Sequence, residues 1–354
     1  MFKVFELNDS DGWNSFFSKL PIEQQDIYFT PEYYNLYEDL GEGKAKCFVF
    51  EKDGEIALYP FLLNSVNELG YDLDKQYYDI QGAYGYNGVV SSSYSDDFIS
   101  SFYSSFDDYV LKNNIIAEYT RFHPILHNEK FNIDINVIED RKTLFLDISK
   151  EYNDIWENCY SSVNRNMIRK AIKKNISLSI SNEENDYLSF YEIYKSTMQN
   201  VGADEYYYFS ENYFKNIKNL LGNNIKLIIA EINGKLICAM LLIFDGKYAH
   251  YFLSGRLREY SNTGVNNLIL DEAIKIAKNE GCSCFHFGGG TTNSPNDPLL
   301  KFKSNFSKDK LTFYIGKKIH NNVVYNEITK QWAQCYPEMI EKYNNRLLKY
   351  RYKS

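Results

Sequence analysis

The chain has 354 residues, 44% hydrophobic and 24% charged, enough for two globular domains with buried cores. Its net charge of −8 excludes a global positive field that would recruit DNA or an anionic bilayer, leaving only local basic patches for such work. No window approaches about 18 consecutive apolar residues, and the opening MFKVFELNDSDGW lacks a signal-peptide core, so no transmembrane segment and a cytoplasmic location are expected. The cysteines, at 47, 159, 238, 282, 284 and 335, do not form the paired CxxC of a zinc ribbon and fit a reducing compartment.

In chain order, residues 46–64 (KCFVFEKDGEIALYPFLLN) read as two strands around Asp53-Gly54, a dipeptide suited to the tight turn of a hairpin. A tyrosine-rich strand and turn (77–90), a helix (96–112) and a strand (115–122) follow. Residues 140–150 (DRKTLFLDISK) contain the expected junction. A helical stretch is expected over 152–175, with Arg165, Arg169, Lys170, Lys173 and Lys174 crowding its last turns. Those cations either complement the helix dipole or clamp an anion such as phosphate. Residues 226–245 then repeat the hairpin around Asn233-Gly234, followed by a strand (248–254), a helix (264–279) and a strand (282–287). Val265, Leu268, Ile269, Ala273, Ile276 and Ala277 recur at helical spacing, Asn262 or Thr263 can cap this helix, and Gly281 can end it. Four matched elements in each half predict an α/β chain of two similar domains with mixed sheets, over 1–145 and 146–354, and a cleft between or beside them.

The segment 250–306 carries the strongest functional signal. Gly288, Gly289 and Gly290 follow a buried strand, where positive φ and close backbone approach suit a ligand at a strand's carboxyl end. Lys303 lies between Phe302 and Phe306, whose rings could desolvate its ammonium. Such a lysine can shuttle a proton or, kept charged, stabilise an oxyanion. The plainer alternative is a surface lysine like Lys301 and Lys308. His123, His250 and His286 read first as hydrogen-bonded strand histidines. No HExxH or calcium-loop spacing occurs, so no metal is expected. The turn 256–264 offers one glycine beside a helix start, a weak pyrophosphate motif.

The blocks NRNMIRKAIKKN, TMQN with YYYF and YF (197–214), HYFLSG, AKNEG and FHFGGG before LLKFKSNFS occur in an order that resembles the FemABX aminoacyltransferases and related GNAT-type acyltransferases. DIQGAYGYNG (79–88) and EYTRFHPILHN (118–128) resemble the amino-terminal signatures of the same group. The resemblance covers roughly residues 25–330 and implies tandem GNAT-like domains that transfer an acyl group to an amine of a cell-envelope precursor. It implies no tightly bound cofactor, an aminoacyl-tRNA or acyl-CoA donor, and a UDP-linked or lipid-linked acceptor, with peripheral membrane contact compatible. Lys303 matches the group's transfer lysine and Tyr251 its aromatic strand position, with His250 beside it as a second relay candidate. Arg165, Arg169, Tyr84, Tyr86 and Arg121 match acceptor-binding positions, with Ser254, Gly288, Gly289, Gly290 and Phe302 lining the same expected site. Unlike the arm-bearing members, the second domain has no coiled-coil insertion, and 256–264 is a poor coenzyme A loop, so the donor stays open. An acetyl-CoA-dependent N-acetyltransferase of an amino sugar, or a non-catalytic glycan-binding module, would keep the same fold.

Overall fold

A computed structural model describes residues 1–353. In chain order it forms β1 (Phe2–Glu6), α1 (Ser10–Phe17), α2 (Pro31–Asp39), β2 (Lys44–Lys52), β3 (Glu55–Ser65), β4 (Tyr78–Gln81), β5 (Val90–Ser91), α3 (Asp96–Lys112), β6 (Ile115–Arg121) and β7 (Asn136–Asp147). It continues through α4 (Tyr152–Asp154), α5 (Ser162–Lys173), β8 (Ser177–Ser181), α6 (Glu184–Val201), α7 (Glu211–Leu221), β9 (Ile225–Ile232), β10 (Lys235–Asp245), β11 (Tyr248–Arg256) and α8 (Val265–Asn279). The last elements are β12 (Cys284–Gly289), α9 (Pro298–Lys303), β13 (Lys310–Ile319), α10 (Asn322–Cys335) and α11 (Ile340–Tyr343).

These elements fall into two compact units, residues 1–140 with 313–354, and residues 141–312. In the first unit the strand order is β1-β2-β3-β4-β6-β13, with β5 beside β3. In the second it is β7-β12-β11-β10-β9-β8. Each contains an antiparallel hairpin (β2–β3 and β9–β10) and a parallel pair joined by a helix: β4–β6 through α3, and β11–β12 through α8. The hairpin turns have the expected chemistry. Asp53 and Gly54 have φ of 54° and 84°, and Asn233 and Gly234 have φ of 52° and 73°. Two consecutive positive φ values match the twist of the flanking strands.

The division differs from the expected boundary at 145/146, because the chain returns to the first unit after residue 312. There β13 pairs antiparallel with β6, placing Ile315 opposite Arg121 and Ile319 opposite Ala117. Ile328 and Trp332 of α10 are buried in one cluster with Val66, Tyr77, Ile116 and Ala117. The carboxyl end is tied down by charge. Arg351 makes a bidentate contact with the fully buried Asp79, with its Nη2 2.8 Å from Oδ1, and Tyr350 donates to the same carboxylate at 2.8 Å.

The helix expected over 152–175 is interrupted. The chain leaves α4 through a wide turn ending at Cys159, and Ser161 caps α5 by accepting from Asn164 N at 3.1 Å. Ser161 competes for the backbone and restarts the helix. The α8 face is as its periodicity predicts: Val265, Leu268, Ile269, Ala273, Ile276 and Ala277 all lie in the core of the second unit. Its cap is Gly264, with Thr263 Oγ1 accepting from Val265 N at 3.3 Å, and Gly281 ends it with φ of 89°.

Arg351→Ala strands Asp79 as an uncompensated buried carboxylate, and should cost roughly 3–5 kcal/mol in urea unfolding. Arg351→Lys should recover only part of this, since an ammonium lacks the planar fork. A loss below 1 kcal/mol for Arg351→Ala would refute the anchoring role.

Candidate active site

The parallel ladder between β11 and β12 pairs Tyr248 with Cys284, Ala249 with Phe285 and His250 with His286, and stops there. Both strands continue, β11 to Arg256 and β12 to Gly289. Each carries a bulge at that point: Phe252 is the extra residue of β11 against β10, and Phe287 that of β12 against β7. A bulge re-aims the residues that follow it. The result is a notch at the carboxyl ends of two parallel strands, where α/β folds bind ligands.

The three glycines have three different reasons. Only Gly288 has positive φ, at 71°, and a Cβ there would stand 3.5 Å from Lys303 Nζ. At Gly289 it would meet Arg141 Cδ and Lys142 O at 3.1 Å, and at Gly290 it would lie 2.4 Å from Asp297 Oδ1. The expectation of positive φ across the triplet is corrected to one residue, and the close approaches are to the protein's own side chains.

Lys303 ends α9 and is 5% exposed. Its Nζ donates to Gly289 O at 2.7 Å and lies 5.2 Å from the centroid of the Tyr251 ring. Burial lowers its pKa to about 7, with Asp297 acting in the opposite direction. An ammonium near neutrality in its titration is poised chemically, because little free energy separates its two forms. Tyr251 is half-buried on the α8 side of β11; its hydroxyl hydrogen-bonds Ser254 Oγ, and burial pushes its pKa up to about 12. Phe302 packs edge-on to Phe306, with ring centroids 5.7 Å apart, and Phe306 in turn meets Phe287 and Tyr160. The ring beside the Lys303 ammonium is that of Tyr251 rather than Phe302 or Phe306.

Asp297 holds the loop between the glycines and α9. It accepts from Leu300 N at 2.9 Å as the helix cap, and from Thr291 Oγ1, Thr292 N and Thr292 Oγ1 at 2.7, 2.9 and 3.0 Å. These bonds hold its carboxyl well below the usual carboxylate range. Arg141 Nη1 reaches Gly290 O and Thr291 O at 3.2 and 3.3 Å. Sequence reasoning missed both residues, although Asp297-Pro298 is an N-cap followed by proline at the first helical position.

His250 is buried on the strand face opposite Tyr251, with its ring edge-on to His286 at 5.6 Å. The geometry therefore brings Tyr251, not His250, to Lys303. Arg165 donates from Nη1 to Trp156 O, Glu157 O and Tyr160 O at 3.1, 3.2 and 2.6 Å, so this nitrogen of the expected anion clamp closes the turn before α5. Arg169 is exposed, bonds Asn166 Oδ1 at 3.3 Å and lies 5.5 Å from the Trp156 ring. In the first unit Arg121 Nη2 donates to Gly82 O and Ala83 O at 3.0 and 2.7 Å, bracing the loop that carries Tyr84 and Tyr86. Tyr84 O accepts from Tyr33 Oη at 2.6 Å, and the Tyr86 ring meets those of Tyr28, His123 and Phe313.

The start of α8 is covered by α5. A Cβ on Gly264 would lie 2.2 Å from Met167 O, Asn267 Nδ2 donates to Asn164 Oδ1 at 2.8 Å, and Val265 is 1% exposed.

Residues 162–303 match the family model described as an acetyltransferase (GNAT) domain. The chain is 22% identical over 241 residues to a UDP-N-acetylmuramoylpentapeptide-lysine N(6)-alanyltransferase from Weissella viridescens, an alignment covering 67% of this chain and 66%, just under two thirds, of that protein. Among solved structures, FemX superposes with a TM-score of 0.70 at 15% identity, covering 92% of this chain and 99% of the other. The carboxyl-terminal domain of a putative lysylphosphatidylglycerol synthetase from Agrobacterium fabrum gives 0.55 at 10% identity, covering 92% and 96%. The chain is FemABX-like, with a mixed α/β fold, and its residues 162–303 resemble a GNAT domain.

The depressed pKa of Lys303 has a consequence for stability. An unfolded lysine keeps its proton to about pH 10.4, whereas the folded one releases it near 7. Between those values the unfolded state binds more protons, so this contribution to stability rises with pH. Below 7 both states are charged, and the burial penalty, on the order of 4 kcal/mol, stands in full. Lys303→Met should therefore gain most in Tm relative to the parent below pH 7, with the gap narrowing toward pH 10. A pH-independent gap would refute the depressed pKa.

Proposed function

We propose that the protein transfers an aminoacyl group from the ester of an aminoacyl-tRNA to an amine of a peptidoglycan-precursor peptide. The observation that carries this reading is the buried Lys303 ammonium at the notch, above the Tyr251 ring and beside Gly288. The acceptor class rests on the name of the alanyltransferase relative, in which a lysine N6 of a UDP-linked muramoyl pentapeptide receives alanine.

In this reading the neutral acceptor amine attacks the ester carbonyl, forming the C–N bond and a tetrahedral oxyanion. Lys303 stabilises that oxyanion; the amine's proton passes through the Tyr251 hydroxyl, bonded to Ser254, to the departing ribose oxygen as the C–O bond breaks. No covalent enzyme intermediate is needed. The choice of donor is supported by the packing at the start of α8. A coenzyme A pyrophosphate is commonly held by the exposed N–H groups of a helix's first turn. Here Met167, Asn164 and Thr263 occupy that position. An acyl ester on RNA needs no such seat.

Lys303→Met should lower kcat by about 10²- to 10³-fold with the fold intact, the usual effect of losing one oxyanion donor. Divided by the neutral fraction of the acceptor amine, the kcat/KM profile should fall above about pH 7 as free Lys303 loses its proton, and Lys303→Arg should move that limb to higher pH. An unmoved limb removes Lys303 from this role. Acetyl-CoA should give neither a thermal shift nor turnover, while aminoacyl-tRNA supports transfer; the reverse result overturns the donor assignment.

A further inference from the structure

We propose that the outer face of α5 is the docking surface for the phosphate backbone of the donor RNA, an inference that rests on the aminoacyl-tRNA reading above. Residues 162–174 contain Arg165, Arg169, Lys170, Lys173 and Lys174 and no carboxylate, in a chain of net charge −8. Arg169, Lys170, Lys173 and Lys174 are exposed. The side chains of Lys170, Lys173 and Lys174 have no ion-pair or hydrogen-bond partner among the described residues. These cations hold none of the fold together.

Their position is continuous with the candidate active site. Ser161, which caps α5, donates from N to Asn305 O at 2.9 Å and from Oγ to Asn305 Oδ1 at 2.8 Å, two residues beyond Lys303. From there the helix rises about 1.5 Å per residue, so the exposed cations from 169 to 174, which lie toward one side, are spread over roughly 8 Å of its axis. A strand whose terminal ester reaches Lys303 can lay several successive phosphates along that row, and each neutralised phosphate adds a counterion-release contribution.

An anionic bilayer is the competing partner, and the apolar residues argue against it. The exposed aliphatics of α5 are Val163 and Ile172, 61% and 57% accessible. Nine residues apart, they project from opposite sides of the helix, so they cannot form the continuous apolar stripe that an interfacial helix buries. Backbone phosphates require only the cations.

The test uses the full chain carrying Lys170→Gln, Lys173→Gln and Lys174→Gln together, with its melting curve as a control for folding. Transfer is measured across salt concentrations with aminoacyl-tRNA and with an aminoacylated dinucleotide that lacks the stem. We expect KM for aminoacyl-tRNA to rise roughly tenfold, its salt slope to flatten by about 1 per removed lysine, and kcat and the dinucleotide KM to stay unchanged. An unchanged KM and slope with aminoacyl-tRNA would overturn the assignment while leaving the donor reading intact. Loss of binding to phosphatidylglycerol vesicles with tRNA kinetics unchanged would overturn it in favour of a membrane contact. A parent chain that cannot use aminoacyl-tRNA at all would remove the donor reading and this surface with it.

Discussion

The second unit is organised around one costly placement, an ammonium buried against an aromatic ring and a backbone carbonyl. Removing Lys303 from water disfavours its charge, and neither its hydrogen bond to Gly289 O nor its position over Tyr251 fully restores what hydration supplied. The surroundings are built to keep the lysine there. Gly288 turns the backbone at positive φ beside Nζ, Phe302 and Phe306 pack on each other, and Asp297 caps the short helix while tying down the preceding loop. A side chain held this way is pre-organised, and meets a developing negative charge with little reorganisation.

Asp297 serves two purposes that pull Lys303 in the same direction. Its four accepted hydrogen bonds keep it ionised, and that charge partly offsets the desolvation of the lysine. The loop's geometry and the lysine's protonation are therefore coupled through one carboxylate. Arg141 adds a second restraint by holding the carbonyls of Gly290 and Thr291. The glycine triplet is consequently a packed junction of side chains against backbone, with positive φ at Gly288 alone.

Much of this was legible in the sequence because its causes are local. Asp-Gly and Asn-Gly demand consecutive positive φ and fixed both hairpins, and a 3.6-residue period fixed the buried face of α8. Lys303 stood out through Phe302 and Phe306, which pack on each other, whereas the ring that meets its ammonium is that of Tyr251. What was illegible depends on distant backbone. Arg165 and Arg121 read as ligand-binding cations, yet both reach carbonyls whose position is set by bends in the chain, at 156–160 and 82–83. The return of residues 313–354 to the first unit rests on β13 pairing with β6 and on Arg351 meeting Asp79, contacts separated by about two hundred residues or more. No periodicity records such partners.

The duplicated design explains why the candidate chemistry belongs to one half. Both units place a parallel strand pair around a crossover helix, so both have a strand end at which a ligand could sit. In the first, the β4–β6 ladder runs to Gln81 opposite Tyr119. Beyond it Arg121 takes the carbonyls of Gly82 and Ala83, and a further parallel bridge joins Asn87 to Phe122. Its cation bridges the strand end through Nη2. In the second, the ladder stops at His250 and His286, bulges at Phe252 and Phe287 turn the strands, and the cation beside the gap makes one hydrogen bond to a carbonyl. An ammonium has three donors, so Lys303, with one hydrogen bond to a carbonyl, retains donor capacity at the notch. The same architecture thus yields a strand end bridged by an arginine in one unit and a notch beside a buried lysine in the other.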